Sequence, residues 1–175
     1  MARADAVLGK RVGGPPRGQW RWLILSAVVI VLDQLSKRWI ESHLRNFETR
    51  VILPVFNLVR AHNRGAAFSM FNDAGGWQRW AFSALALGVS LALITWLLRL
   101  ERRAQLQGAA LALILAGALG NLFDRLRLGV VVDFLQLHWH DHYFPAFNVA
   151  DSAITLGACG LLLDALLSSR RTAGH

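Results

Sequence analysis

Carboxylates set beside amides or cations, in otherwise apolar surroundings, are the residues of this chain that could do chemistry. Asp33 and Lys37 stand four residues apart near the end of one apolar run; Asn121, Asp124 and Arg125 close another; Asp133 lies within Val130-Val131-Val132-Asp133-Phe134-Leu135; Asn148 and Asp151 open a last run. Asn-x-x-Asp thus occurs at both Asn121–Asp124 and Asn148–Asp151, a spacing that puts amide and carboxylate on one helix face. The sequence has no GxSxG, HExxH or CxxC motif and no glycine-rich phosphate loop, so carboxylates are the reactive groups left. Two aspartates close together in a partly dehydrated site cannot both ionise easily. They share a proton, one acting as base toward a water while the other polarises a carbonyl. That is peptide hydrolysis without a metal.

The elements that must position these groups are membrane-spanning helices. Hydrophobic residues make up 54% of the 175-residue chain and the mean hydropathy is +0.37, too apolar for an ordinary soluble domain of this length. The length predicts a single domain. Apolar runs predict spans over about 20–40, 80–98, 106–123 and 149–167. The Trp80–Leu98 run carries no charge and crosses ~30 Å of hydrocarbon at ~1.5 Å per residue. The expected class is an all-α membrane protein of four transmembrane helices with a small periplasmic β-element.

The net charge of +8 comes from arginines beside these runs: Arg3, Arg11, Arg17 and Arg21, then Arg99, Arg102 and Arg103, then Arg170 and Arg171. This is the positive-inside pattern and not a nucleic-acid patch. It predicts an inner-membrane, multi-pass protein with both termini cytoplasmic, residues 1–19 forming a cytoplasmic tail, and periplasmic segments over about 41–76 and 126–147. In the first of these, Val55–Val59, a turn at His62-Asn63-Arg64-Gly65 and then Ala66–Met70 suggest a hairpin on the membrane surface. Trp20, Trp22, Trp39, Trp77, Trp80 and Trp139 fall near span ends, as an interfacial belt requires. All the grouped polar residues then lie toward the periplasmic face, where a lipid-anchored substrate meets water.

Five motifs in order carry a resemblance: Asp33-Gln34-Leu35-Ser36-Lys37, Asn63-Arg64-Gly65-Ala66-Ala67-Phe68, Gly120-Asn121-Leu122-Phe123-Asp124-Arg125, Val131-Val132-Asp133-Phe134 and Phe147-Asn148-Val149-Ala150-Asp151-Ser152. Over residues 33–152 the sequence resembles the bacterial lipoprotein signal peptidases. The resemblance implies an aspartyl endopeptidase that removes signal peptides from diacylglyceryl-modified prolipoproteins, cutting before the lipid-modified cysteine. It implies Asp133 and Asp151 as catalytic dyad and Asn63, Asn121, Arg125 and Asn148 as residues that hold substrate or order the dyad. Asp33, Lys37 and Asp124 would be structural. Spacing alone nominates Asp124 as the partner of Asp151. Its neighbour Arg125 favours ionised Asp124, however, whereas Val131, Val132, Phe134 and Leu135 make an apolar surround that raises the pKa of Asp133. That argument agrees with the resemblance.

No cofactor and no metal are expected. The partners are lipid-modified prolipoproteins and membrane lipid, without nucleic acid, and one chain carrying all motifs for one site predicts a monomer. His138, His140 and His142 alternate, so on one strand they would point the same way as in a zinc site, but a wet loop is the simpler expectation. Cys159, the single cysteine, excludes an intrachain disulfide framework. A transporter would need polar residues through the whole membrane thickness, and the cytoplasmic halves of the second and third runs are almost purely apolar. A scaffold would have no need of two aspartates together.

Overall fold

The protein is described by a computed structural model over residues 20–65 and 75–172; the predicted tail 1–19 and the Ala66–Met70 strand lie outside the described residues. The element order is α1 (Trp20–His43), β1 (Thr49–Leu53), β2 (Phe56–Asn63), α2 (Trp77–Arg99), α3 (Gln105–Leu128), β3 (Val131–Trp139), β4 (His142–Tyr143) and α4 (Val149–Thr172). Among the described residues three helices, α2, α3 and Val149–Ser169 of α4, are long and apolar enough to cross a membrane. α1 matches them in length but carries Asp33, Lys37 and Arg38 in its second half.

α3 sits at the centre and packs against α1, α2 and α4. Its inner face is built from small residues, Gly108, Ala110, Ala112, Ala116, Gly117 and Gly120, interleaved with Leu111 and Leu115. Small residues let backbones approach closely where no hydrophobic drive from water is available. A Cβ on Gly117 would collide with the Ala150 carbonyl oxygen and the Ile154 side chain, and one on Gly157 with the Ala110 carbonyl and Ile114. α4 is therefore seated directly on the α3 backbone. Leu93, Leu97, Leu100, Leu111 and Leu115 form the buried cluster between α2 and α3, whereas Leu85, Leu87, Leu91, Leu156, Leu162 and Leu166 point outward. An apolar exterior around a small-residue interior suits lipid as the surrounding solvent.

The four strands form one antiparallel sheet in the order β1-β2-β3-β4, so the two predicted extramembrane segments build a single element. β3 is fastened to the end of α1 by a cluster of Ile40, Leu44, Val132 and Phe134. A hairpin turn lies at Pro54-Val55, between paired Leu53 and Phe56, and His62 and Asn63 close β2, opposite Val132 and Val131. Proline lacks the N–H a strand needs, and Pro54 takes the turn, while the polar His62 and Asn63 tolerate a strand because it leads into the bundle. The histidines do not share one strand: His138 is in β3, His140 in the turn at φ 51°, and His142 in β4.

Helices run past their predicted ends. α3 continues to Leu128, beyond the expected limit at 123, and stops at Gly129, whose φ of 78° lets its N–H close on the Arg125 carbonyl at 3.1 Å. The apolar pattern ends early because the last turns of α3 carry Asn121, Asp124 and Arg125, whose polar groups find partners within the protein.

Candidate active site

The start of α4 is built by its own Asn-x-x-Asp. Asn148 Oδ1 accepts the backbone N–H of Asp151 at 2.8 Å, and Asp151 Oδ2 accepts the backbone N–H of Asn148 at 3.2 Å. This reciprocal capping box satisfies two N–H groups that a helix start leaves without partners. Ala150 N–H, one residue inside, donates to Asp33 Oδ1 of α1 at 2.9 Å. Asn148 thus precedes the helix, contrary to a placement of both residues on one helical face. The Asn121–Asp124 repeat differs: both residues lie inside α3.

Asn148 also reaches the sheet. Its Nδ2 donates to Asp133 Oδ1 at 2.7 Å, so one residue touches both Asp133 and Asp151. The second oxygen of Asp133 accepts Asn63 Nδ2 at 3.2 Å. That contact follows from register: Ala61 faces Asp133 and Asn63 faces Val131, which places Asn63 diagonally across from the aspartate on the same face. Asp151 Oδ1 accepts Asn121 Nδ2 at 2.8 Å. Arg125 donates to the carbonyls of Gly65, at 3.1 Å, and Asn121, at 3.4 Å, and lies over the Phe82 ring.

Asp33 and Asp124 have a different company. Lys37 Nζ lies 2.8 Å from each, and all three side chains are buried. Asp124 also accepts the backbone N–H of Val132 at 3.3 Å, and Asp33 holds the start of α4, so this ion cluster ties α1, α3, α4 and β3 together. The cation that pairs with Asp124 is Lys37 and not its sequence neighbour Arg125. Gln34, which residue spacing does not single out, also joins this cluster: its Nε2 reaches Asp124 Oδ1 at 2.9 Å and the Gly120 carbonyl at 3.3 Å. An amide among apolar residues next to Asp33 was the signal that could have found it.

The four carboxylates are therefore sorted. Two share a buried ammonium; the other two, Asp133 and Asp151, are held by neutral amides and have no ion pair among the described residues. Burial pushes the Asp133 carboxyl up to about 7, and the nearby charge of Asp151 pushes the same way, against the hydrogen bonds of Asn63 and Asn148 and the charge of Lys37. Among the described residues no group of three or more His, Cys, Asp or Glu could hold a metal. His138 stacks on Tyr143 of β4, toward the other end of the strand that carries Asp133.

An apolar helix bundle and a small sheet thus bring together two amide-held carboxylates, Asp133 on β3 and Asp151 in the first turn of α4. The family model described as Signal peptidase (SPase) II matches residues 25–167. A lipoprotein signal peptidase of Pseudomonas fluorescens is 52% identical over 157 residues, covering 89% of this chain and 92% of that one. One from Pseudomonas aeruginosa (strain UCBPP-PA14) is 49% identical over 155 residues, covering 87% and 92%. A solved bacterial membrane enzyme, determined by the in meso method at 2.3 Å resolution, superposes with a TM-score of 0.77 at 27% identity, covering 86% of this chain and 90% of that one. The chain belongs to the signal peptidase II family.

Proposed function

We propose that this chain is an aspartyl endopeptidase that removes signal peptides from diacylglyceryl-modified prolipoproteins, cleaving before the lipid-modified cysteine, with Asp133 and Asp151 as its dyad. The observation that carries the reading is Asn148, which donates its side-chain N–H to Asp133 and its backbone N–H to Asp151 and so fixes one carboxylate against the other. With one proton between them, the ionised carboxylate takes a proton from water. The resulting hydroxide adds to the scissile carbonyl carbon while the protonated carboxyl hydrogen-bonds its oxygen, and the proton then passes to the leaving nitrogen. Asn63 and Asn121 keep the outer oxygens oriented, and Arg125 orders the strand end by holding the Gly65 carbonyl.

The same reading takes α1 as a fourth span, because its Asp33 and Lys37 are neutralised within the bundle. With the arginines cytoplasmic, the sheet and the dyad lie at the periplasmic face of the inner membrane, where a substrate anchored by its lipid is presented in the plane of the bilayer. The catalytic unit is one chain, acting as a monomer. The test is cleavage of a lipid-modified prolipoprotein by purified protein, read as a gel shift. Asp133→Asn and Asp151→Asn are each expected to lose at least about a thousandfold in turnover, while Asp124→Asn, outside the pair, retains turnover. Activity in Asp133→Asn with loss in Asp124→Asn would reassign the dyad.

A further inference from the structure

Lys37 is buried at 2% exposure with Asp33 and Asp124, and neutralisation alone explains neither its third contact nor where that contact leads. An ammonium has three N–H donors and no acceptor. Lys37 uses them on Asp33 Oδ2 at 2.8 Å, Asp124 Oδ2 at 2.8 Å and Asn121 Oδ1 at 3.1 Å. Asn148 Nδ2 also approaches Asn121 Oδ1, at 3.3 Å, but its two hydrogens already face Asp133 Oδ1 at 2.7 Å and the Val132 carbonyl at 3.3 Å. Lys37 is thus the donor with a whole N–H for that oxygen.

A side-chain amide can be turned over at little intrinsic cost, and its orientation here decides what Asp151 meets. In the observed orientation Asn121 presents its NH2 to Asp151 Oδ1 at 2.8 Å. Turned over, it would set NH2 against the ammonium and against the Asn148 amide, and set oxygen against a carboxylate. We infer that Lys37 is a positioning residue for the reaction: it locks the Asn121 amide so that its N–H end holds Asp151. The chain Lys37, Asn121, Asp151 carries no proton and Lys37 touches no substrate. Its effect falls on the step in which Asp151 must be aligned, and so on kcat, with KM unchanged.

This inference rests on the dyad reading, so Asp151→Asn accompanies every variant in the prolipoprotein assay. Lys37→Met and Asn121→Ala are each expected to lower kcat by roughly ten- to a hundredfold, the scale of one lost charge-assisted hydrogen bond. Acting along one chain, they are not multiplicative: the double variant is no slower than the slower single variant. Lys37→Met leaves two buried carboxylates without a cation and can prevent folding. A triple variant, Asp33→Asn with Lys37→Met and Asp124→Asn, is neutral throughout and keeps acceptors for Ala150 and Val132. It too loses kcat, and adding Asn121→Ala costs nothing further. Full kcat in the triple variant, a change confined to KM, or losses that multiply would each overturn the positioning role. Turnover in Asp151→Asn would instead remove the dyad reading beneath it.

Discussion

A carboxyl group that is to share a proton must be kept from cations and from water, and both conditions weaken the fold that supplies them. Asp133 is 3% exposed, and its carboxyl sits at about 7 against an ordinary 3.8, with burial the larger cause and Asp151 the second. The folded protein therefore keeps this proton up to about pH 7, whereas the unfolded chain releases it near 3.8. Between those values the folded state binds more protons, so stability falls as pH rises through the window, by at most about 1.4 kcal/mol per pH unit for one group. Thermal melts in detergent should show wild type losing stability relative to Asp133→Asn from about pH 4 to 7, with the offset constant above that. Parallel curves across the window would mean that Asp133 does not carry the raised pKa.

At the scale of elements, the start of α4 does two jobs with the same atoms. The capping box of Asn148 and Asp151 ends the helix properly and, through Asn148 Nδ2, ties that end to β3. Serine can cap a helix but is too short to keep the Asp133 contact. Asn148→Ala should therefore lower both stability, by about 1 kcal/mol for the cap, and kcat, whereas Asn148→Ser should recover most of the melting temperature with kcat still depressed. Recovery of both by serine would mean that the cap alone matters. The sheet contributes through register: a slip of one residue between β2 and β3 would turn Asp133 to the opposite face, away from Asn63 and Asn148. The β2–β3 pairing and the cluster of Ile40, Leu44, Val132 and Phe134 exclude that slip by burying the alternate residues against α1.

For the whole molecule, different elements close the two ends of the bundle. Glu101, Arg102 and Arg103 form the exposed α2–α3 turn, while the sheet with exposed Trp139 and Tyr143 caps the opposite end. The proposed orientation puts the turn in the cytoplasm. In a Cys159→Ala background, a cysteine in place of Tyr143 should react with a membrane-impermeant maleimide on intact spheroplasts. One in place of Arg103 should react only after lysis. The reverse pattern would invert the topology and place the sheet, with Asp133, away from exported substrates.

Much of this was legible from residue types alone. Apolar runs located the helices because hydrocarbon permits few alternatives to a helix of sufficient length, and ordered motifs carried the family resemblance. Polar residues in apolar runs marked the candidate site because such residues are expensive without partners. The resemblance and the apolar neighbours of Asp133 already set Asp133 and Asp151 apart from Asp33 and Asp124, but the contacts that separate the two pairs join residues distant in the chain and were not legible in the sequence: Lys37 with Asp124, and Asn63 with Asp133. Nor did it show that the two Asn-x-x-Asp repeats differ, because identical spacing serves as a capping box at a helix start and as two separate contacts inside a helix. The sequence by itself determined which polar groups interrupt or close the apolar runs; the tertiary structure decided which of them meet a cation and which meet only amides, because helix packing and strand register bring those partners together.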